Sequence, residues 1–204
     1  MSRVRAMAIV AAWLAAAACG SAPQGTPGAS TSPRAFVIFT TWVPDTNFTG
    51  GPEPGYRPAL SGLTSHDIKS AAAAIDATGS AWLIDVTFTP QGRSLFAKLT
   101  SDNVAACPGD ANTVPAAQCP QRHLAIWVGL TQADIDRWAD PAFAAQVTQP
   151  FDLACISRGT PTATCHKLIS NPITLEPISG GEMQIGGVFT QQSATALASA
   201  MTHS

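Results

Sequence analysis

From Ala81 to Thr89 the chain alternates with a period of two: Trp82, Ile84, Val86 and Phe88 fall on one side, and Leu83, Asp85, Thr87 and Thr89 on the other. Successive side chains of a strand leave opposite faces of a sheet, so this run demands a strand with one face on a core. The chain must therefore supply both a sheet and a layer to cover it. Phe36 to Val43 (FVIFTTWV) is β-branched and aromatic, and His123 to Leu130 (HLAIWVGL) reads as a third strand. Leu168 to Ile178 is extended but broken by Pro172 and Pro177, which places it at an edge or bulge. Ser179-Gly180-Gly181 turns into Glu182 to Val188, where Met183 and Ile185 share a face.

Helical patterns lie between these strands. Thr64 or Ser65 caps a predicted helix reaching about Asp76, with Asp67 in its first turn and Ala71 to Ala74 as a small face toward a sheet. Thr89-Pro90 is a cap followed by proline at the first helical position, and Leu95, Phe96 and Leu99 form a stripe behind it. Thr131-x-x-Asp134 opens a short helix with Ile135 and Trp138, and Asp140-Pro141 opens another reaching Val147. Thr190 caps a last helix with Ala194, Leu197, Ala198 and Met201 on one face. Pro44 to Gly62 is a long Pro/Gly stretch. Strands and helices mix within one domain, with no internal repeat.

Composition narrows the class. With 46% of 204 residues hydrophobic, the chain can fill one ordinary core. Lys and Arg number 11 against 13 Asp and Glu, which leaves no excess of positive charge for phosphates and argues against nucleic acid as a partner. The N-terminus has a basic start (Arg3, Arg5), 13 uncharged residues from Ala6 to Ala18, and then Cys19. That order is an export signal, residues 1–18. Thirteen residues span about 20 Å as a helix, short of the roughly 30 Å hydrocarbon core. Ala16-Ala17-Ala18-Cys19-Gly20 resembles a bacterial lipobox, with Ala16 where the pattern prefers Leu; this makes Cys19 the expected lipidation site, cleavage near Ala18 without lipid being the alternative. Residues 19–33 then form a tether of small and polar residues, and the folded domain is expected over 34–204. Without Arg3 and Arg5 the charge is 9 basic against 13 acidic, so attachment to the membrane would be covalent rather than electrostatic.

Cys107, Cys119, Cys155 and Cys165 remain, an even number in an exported chain, which reads as two disulfides. Of three connectivities the local pairs Cys107 to Cys119 and Cys155 to Cys165 are favoured, because each brackets its own Pro/Gly/Thr-rich loop. A four-thiolate zinc site is the rival, but the spacings lack the tight chelating pair, so no metal and no cofactor is expected.

Catalytic patterns are not evident. G-x-S-x-G, H-E-x-x-H and a suitably placed S-x-x-K are all missing. His66, His123, His166 and His203 are scattered, with no acidic partner at helical or strand spacing. Asp134 and Asp140 fit helix starts, Asp136 a solvated face, Asp76 a helix end and Asp85 the polar side of a strand. Gly180-Gly181 fits a hairpin turn better than a phosphate loop. The chain reads as a non-enzyme.

The order of motifs resembles a known family. Leu60 to Thr100 resembles the head part of the large extracytoplasmic domain of SecD, a membrane subunit assisting protein export, with its W/V-rich strand ending F-T-x-x-G and then F-x-x-L-T. Leu124-Ala125-Ile126-Trp127-Val128 is similar to the LAIVLD strand, Ile169-Ser170-Asn171-Pro172 through Glu176-Pro177-Ile178 to ISAP...EPI, and Gly180 to Thr190 to GG-x-x-QI-x-G-x-FT. The resemblance runs from about Leu60 to Met201 and is interrupted over residues 131–164, where SecD joins two strands by a short turn. The first cysteine loop has no counterpart in the pattern, and SecD's transmembrane helices with their proton-coupling charges are not matched. The resemblance implies an α+β fold, a small mixed or antiparallel sheet with helices on one face and an inserted disulfide-containing segment. It also implies contact with unfolded exported polypeptide, the translocon or another envelope component, at the extracytoplasmic face of the cell membrane. Trp138, Phe143 and Phe151, in the insertion, are candidates for such a surface, the alternative being that they pack the insertion onto the sheet. A second expectation is a small-molecule or lipid site in an apolar pocket under the insertion.

Overall fold

The computed structural model describes residues 37–109, 118–149, 151–153 and 166–202. The export signal, the tether, Cys19, Cys155, Cys165 and His203 lie outside them. All described residues belong to one compact unit, Pro33–Ser204.

Among the described residues, seven strands form two antiparallel sheets. β1 (Val37–Pro44), β2 (Tyr56–Thr64), β5 (Ala125–Val128) and β6 (Leu168–Ser170) make a four-stranded sheet in the order β2-β1-β5-β6. β3 (Ile68–Ile75), β4 (Trp82–Phe88) and β7 (Glu182–Phe189) make a three-stranded sheet with β4 central. The alternation in β4 appears as expected: Ile84, Val86 and Phe88 are buried in the main core while Asp85 is exposed.

Helix α1 (Pro90–Ala106) starts where Thr89 Oγ1 accepts from the Gly92 amide at 3.1 Å, with Pro90 in the first turn. Its buried residues, Gly92, Phe96, Leu99, Thr100 and Asn103, recur at helical spacing. A Cβ on Gly92 would stand 2.4 Å from the carbonyl oxygen of Asp67, so the glycine permits the helix to touch the turn before β3. The helix α4 (Gln191–Thr202) lays Ala194, Leu197, Ala198 and Met201 on the same core.

The four-stranded sheet is covered on both faces. Val37 and Phe39 of β1, Ile126 and Val128 of β5 and Ile169 of β6 enter the main core with β4, α1 and α4. Their neighbours Ile38, Trp42, Ala125, Trp127 and Leu168 enter a second core with Leu130, Ile135, Trp138, Phe143, Ala144 and Val147. That second layer is the insertion, built of α2 (Gln132–Asp136) and α3 (Pro141–Val147). β5 and β6 are antiparallel neighbours, so the helices cover a connection that geometry would allow a short turn to make.

Two sequence expectations are corrected. Residues 65–76 are not a helix. The capping box at Thr64 and Asp67 forms, but it closes only a 3-10 turn, Ser65–Asp67, and the alanine run continues as β3. Alanine's helix preference is worth only tenths of a kcal/mol per residue. β3 instead pairs with β4 from Ile68 opposite Phe88 to Ile75 opposite Trp82, and its small side chains let α4 lie against it. The Pro/Gly stretch, in turn, contains β2. Pro58 is tolerated there because β2 is an edge strand. The extended segment after Lys167 shortens to β6 and one further bridge between His123 and Ile173.

A groove between α1 and the β1–β2 hairpin

A concavity of about 630 Å³ runs between helix α1 and the strands β1 and β2. Thr41, Trp42, Val43 and Pro44 of β1 and Leu60 and Ser61 of β2 form one wall; Leu95, Leu99, Asn103 and Ala106 of α1 form the other. Lys98 and Asp102, one helical turn apart, pair at 2.5 Å on its rim and are well exposed. Their charges cancel, so the groove carries no net charge. Leu60 is 46% exposed, whereas Asn103 is 3% exposed and its Nδ2 has no hydrogen-bond partner among the described residues.

A polar network holds the tryptophan of the β1 wall. Trp42 Nε1 donates to Asn171 Oδ1 at 3.0 Å. Asn171 Nδ2 donates in turn to Glu53 Oε1 at 2.9 Å, and that oxygen also pairs with His123 Nδ1. Glu53 is buried, so its carboxylate is matched on both sides by groups brought from distant parts of the chain. Sequence reasoning missed this cluster. It gave His123 no acidic partner because Glu53 lies 70 positions away and no local spacing announces it.

One end of the groove is closed by a cross-link. Cys107 and Cys119 form a disulfide with Cα atoms 6.0 Å apart, immediately beyond Ala106 on one side and two residues before Gln121 on the other. Beside it the buried Arg122 donates through Nε to Cys107 O at 2.8 Å, through Nη2 to Gly109 O at 2.5 Å and through Nη1 to Leu175 O at 3.1 Å. Three carbonyl oxygens thus satisfy the guanidinium and fix both ends of the cysteine loop. The second expected disulfide, Cys155 to Cys165, lies outside the described residues.

The insertion aromatics are placed elsewhere. Trp138 and Phe143 are 1% and 3% exposed in the second core, where Trp138 meets Trp127 edge-on at 5.6 Å and also Trp42 and Phe48. The Arg137 guanidinium lies 4.0 Å above the Phe143 ring. Phe151 is half-buried and packs on the main core. Trp138 and Phe143 thus pack the insertion onto the sheet, while Phe151 keeps part of its ring exposed. A hollow does lie beside the insertion, lined by Thr148, Phe151, Leu168, Ile169 and Gly186 to Phe189, but it measures about 240 Å³, below the roughly 300 Å³ at which small-molecule pockets begin.

The acidic candidates take structural positions. Asp134 completes the cap of α2, accepting from Thr131 N at 2.8 Å, and receives the buried Lys167 Nζ at 2.7 Å. Burial pushes its carboxyl up, but the Lys167 and Thr131 hydrogen bonds outweigh this and leave it below the ordinary carboxylate range. Asp140 caps α3 through the amides of Ala142 and Phe143, Asp136 accepts from Gln132, and Asp85 accepts from Gln184. Asp76 organises the β3–β4 turn: the Thr78 hydroxyl and the amides of Ser80 and Ala81 donate to it and lower its pKa to about 2. Gly181 takes φ +76° in the turn before β7, and its carbonyl accepts from Phe88 N. Among the described residues no three His, Cys, Asp or Glu side chains gather as a metal site, and no helix is long and apolar enough to cross a membrane.

No curated protein matches the chain. Among solved structures, one described as "Crystal structure of SecDF in Super-membrane-facing form" is similar over 83% of this chain and 19% of its own, at 17% identity and a TM-score of 0.47. Another, "Structure and function of a membrane component SecDF that enhances protein export", shows the same identity and TM-score over 83% of this chain and 63% of its own. The chain therefore spans less than two thirds of either. The family described as SecDF, P1 head subdomain, matches residues 55–203, which take in every described strand but β1, the four described helices and the α1 wall of the groove; the chain belongs to the SecDF P1 head family.

Proposed function

We propose that this protein is a non-enzymatic, lipid-anchored envelope protein that holds extended, non-native segments of exported polypeptide in the groove between α1 and β1–β2. The groove carries the reading. It is electrically neutral and walled by Leu60, Leu95 and Leu99, with hydroxyl groups of Thr41 and Ser61 and the carboxamide residues Asn103 and Gln121 among its lining. Such a surface suits a chain whose side chains vary and whose backbone does not. Hydrophobic contacts there tolerate sequence, while polar groups engage the amide repeat. Family membership supports a role in export, the activity named for the second SecDF structure. On this reading Cys19 carries the lipid, residues 20–33 are the tether, and the domain works outside the cytoplasmic membrane beside the translocon or another envelope component.

The test is a titration of the oxidised chain with a fluorescent, permanently unfolded export substrate and, in parallel, its folded form. Saturable binding to the unfolded form alone is the expected outcome; equal binding to both, or none, overturns the reading. Mass labelling of Cys19 with lipid in the native host checks the anchor. The alternative, a small lipid or other apolar ligand under residues 131–164, would have to fit the hollow beside the insertion, which at about 240 Å³ is smaller than ordinary ligand pockets. Native mass spectrometry of protein taken from its own envelope distinguishes the two, since that ligand would travel with the protein.

A further inference from the structure

We infer that β3 pairs with the β3 of a second copy of this chain, antiparallel about a two-fold axis at Ala73, so that the two three-stranded sheets join edge to edge. The inference stands apart from the polypeptide reading, since the groove belongs to the other sheet.

A strand edge is a row of unpaired amides and carbonyls, and folded proteins blunt such edges. Three of the four edge strands, β2, β6 and β7, are blunted. β2 carries Pro58, a glycine at φ +82° (Gly62) and a register shift against β1. β6 is three residues long, and its Leu168 carbonyl already accepts from the Phe151 amide at 3.0 Å. β7 bulges: Leu83 faces Gly186 but Trp82 faces Phe189, so Gly187 and Val188 stand out of register. β3 is different. From Ser70 to Ile75 it runs opposite β4 without a break, with no proline, glycine or charge, and no described strand lies on its other side.

The ladder fixes which backbone groups face that open side. The Asp76 amide donates to Ala81 O at 2.9 Å, which makes that pair a hydrogen-bonded position. Such positions alternate along an antiparallel pair, so Ala74, Ala72 and Ser70 turn amide and carbonyl toward β4, while Ile75, Ala73 and Ala71 turn theirs outward. What matches those groups at their own spacing is another extended backbone.

A second copy of β3 supplies it. A two-fold axis sets residue i opposite j and j opposite i. One antiparallel register maps positions 71, 73 and 75 onto themselves: Ala73 opposite Ala73, and Ala71 opposite Ile75 in both directions. It pairs every outward amide and carbonyl of the unbroken stretch. It also matches size and charge. Ile75, 52% exposed, meets an alanine rather than a second branched side chain. Lys69, the charged residue of β3, comes beside Asp76 of the second copy rather than beside another lysine. Helix α4, which packs against β3, has no charged residue from Gln191 to Thr202, so bringing it near its twin sets no like charges together.

The test uses the full chain. Sedimentation velocity at rising concentration should show a monomer passing to a dimer, and a chain still monomeric at about 1 mM overturns the inference. Ala73→Pro removes the amide at the axis, which faces away from β4, so the variant should keep the far-UV circular dichroism of wild type and dimerise about tenfold more weakly or worse. A folded Ala73→Pro chain that dimerises as wild type does overturns the inference too. Cysteines read the register even where the proline variant does not fold. Ala72 falls opposite Ala74 of the second copy in a non-hydrogen-bonded pair, with Cα atoms about 4.5 Å apart and within disulfide reach. Ala72 and its own twin are diagonal neighbours, about 7–8 Å apart, which is too far. Mixed Ala72→Cys and Ala74→Cys chains should therefore cross-link under mild oxidation above the wild-type background, and either variant alone should not. No gain on mixing, or equal cross-linking of one variant alone, overturns the inference.

Discussion

Lys167 is the residue whose environment departs furthest from its own chemistry. Its ammonium group is almost completely buried, pairs with Asp134 Oδ2 at 2.7 Å and reaches Gly129 O at 3.3 Å. Through this pair the start of α2 is fastened to the residue preceding β6. Replacing one partner leaves the other charge buried and unmatched, so Lys167→Met is expected to destabilise by about 3–5 kcal/mol in denaturant unfolding. The double replacement Lys167→Met with Asp134→Asn should recover part of that loss, since no bare carboxylate remains. The acid response follows from the same geometry. The folded Asp134 carboxyl titrates below its ordinary value of 3.8, so its contribution is present above that pH and disappears as pH falls through the lowered folded value. An Asp134→Asn chain is expected to show a flatter loss of stability below about pH 4 than wild type, measured as the urea midpoint against pH. None of this is legible from residue type alone, because Asp134 looks complete as a cap residue and Lys167 lies 33 positions away. Asp134 was readable as a helix start; its second role is purely tertiary.

The elements divide by whether a local rule or a distant partner decides them. β4, α1, α3 and α4 were legible because periodicity and caps agree with their packing: Thr89-Pro90, Asp140-Pro141 and the two-residue alternation of β4 mean in the fold what they mean in the sequence. β3 was not, since an alanine run says helix by propensity and strand only by its partner β4. The β3–β4 turn gives a sharp check. Asp76 is exposed, yet four donors from Thr78, Ser80 and Ala81 hold its carboxylate, and its pKa is lowered to about 2. Its carboxyl carbon should titrate by NMR near that value, and Thr78→Ala should move the midpoint back up toward 3.8, because the Thr78 hydrogen bond is the largest cause. The stabilisation it contributes is present above the unfolded carboxylate pKa and vanishes as pH drops through about 2. At the other end of α1, the cross-link closes a short loop, its cysteines 12 positions apart. Cys107→Ser with Cys119→Ser is expected to cost about 3 kcal/mol in the chain-entropy account. If Arg122 alone organised the loop, the two serines would leave the unfolding midpoint unchanged.

At the scale of the whole molecule, the insertion decides what kind of sheet this is. A four-stranded antiparallel sheet on one core would carry polar residues on its outer face. Here β1 and β5 read VIFTTWVP and AIWV, runs in which both parities are apolar, and both parities are buried: Phe39 and Ile126 toward the main core, Trp42 and Trp127 toward α2 and α3. The continuous apolar run was the visible signal for two covered faces, whereas the family resemblance implied helices on one face. The location of the groove was not legible, because its walls come from residues 41–44, 60–61 and 95–106, which only the crossing of α1 over the β1–β2 hairpin brings together. The insertion and the groove meet at Trp42, which packs on Trp127 and Trp138 while lining the groove and bonding Asn171. Replacing residues 131–166 by an Asn-Gly turn should therefore do more than shorten a loop. It uncovers Trp42 and Trp127 and leaves the four-stranded sheet with an apolar outer face, so the shortened chain is expected to aggregate and to bind a hydrophobic dye. Adding Trp127→Thr and Lys167→Thr, which make that face polar and remove the orphaned cation, should restore a soluble chain. Trp42 should be left in place, because its indole also bonds Asn171 and so holds the Glu53–His123 network. If the shortened chain with an unaltered sheet stays soluble, the second core is dispensable and the layer formed by α2 and α3 has no part in holding the β1 wall.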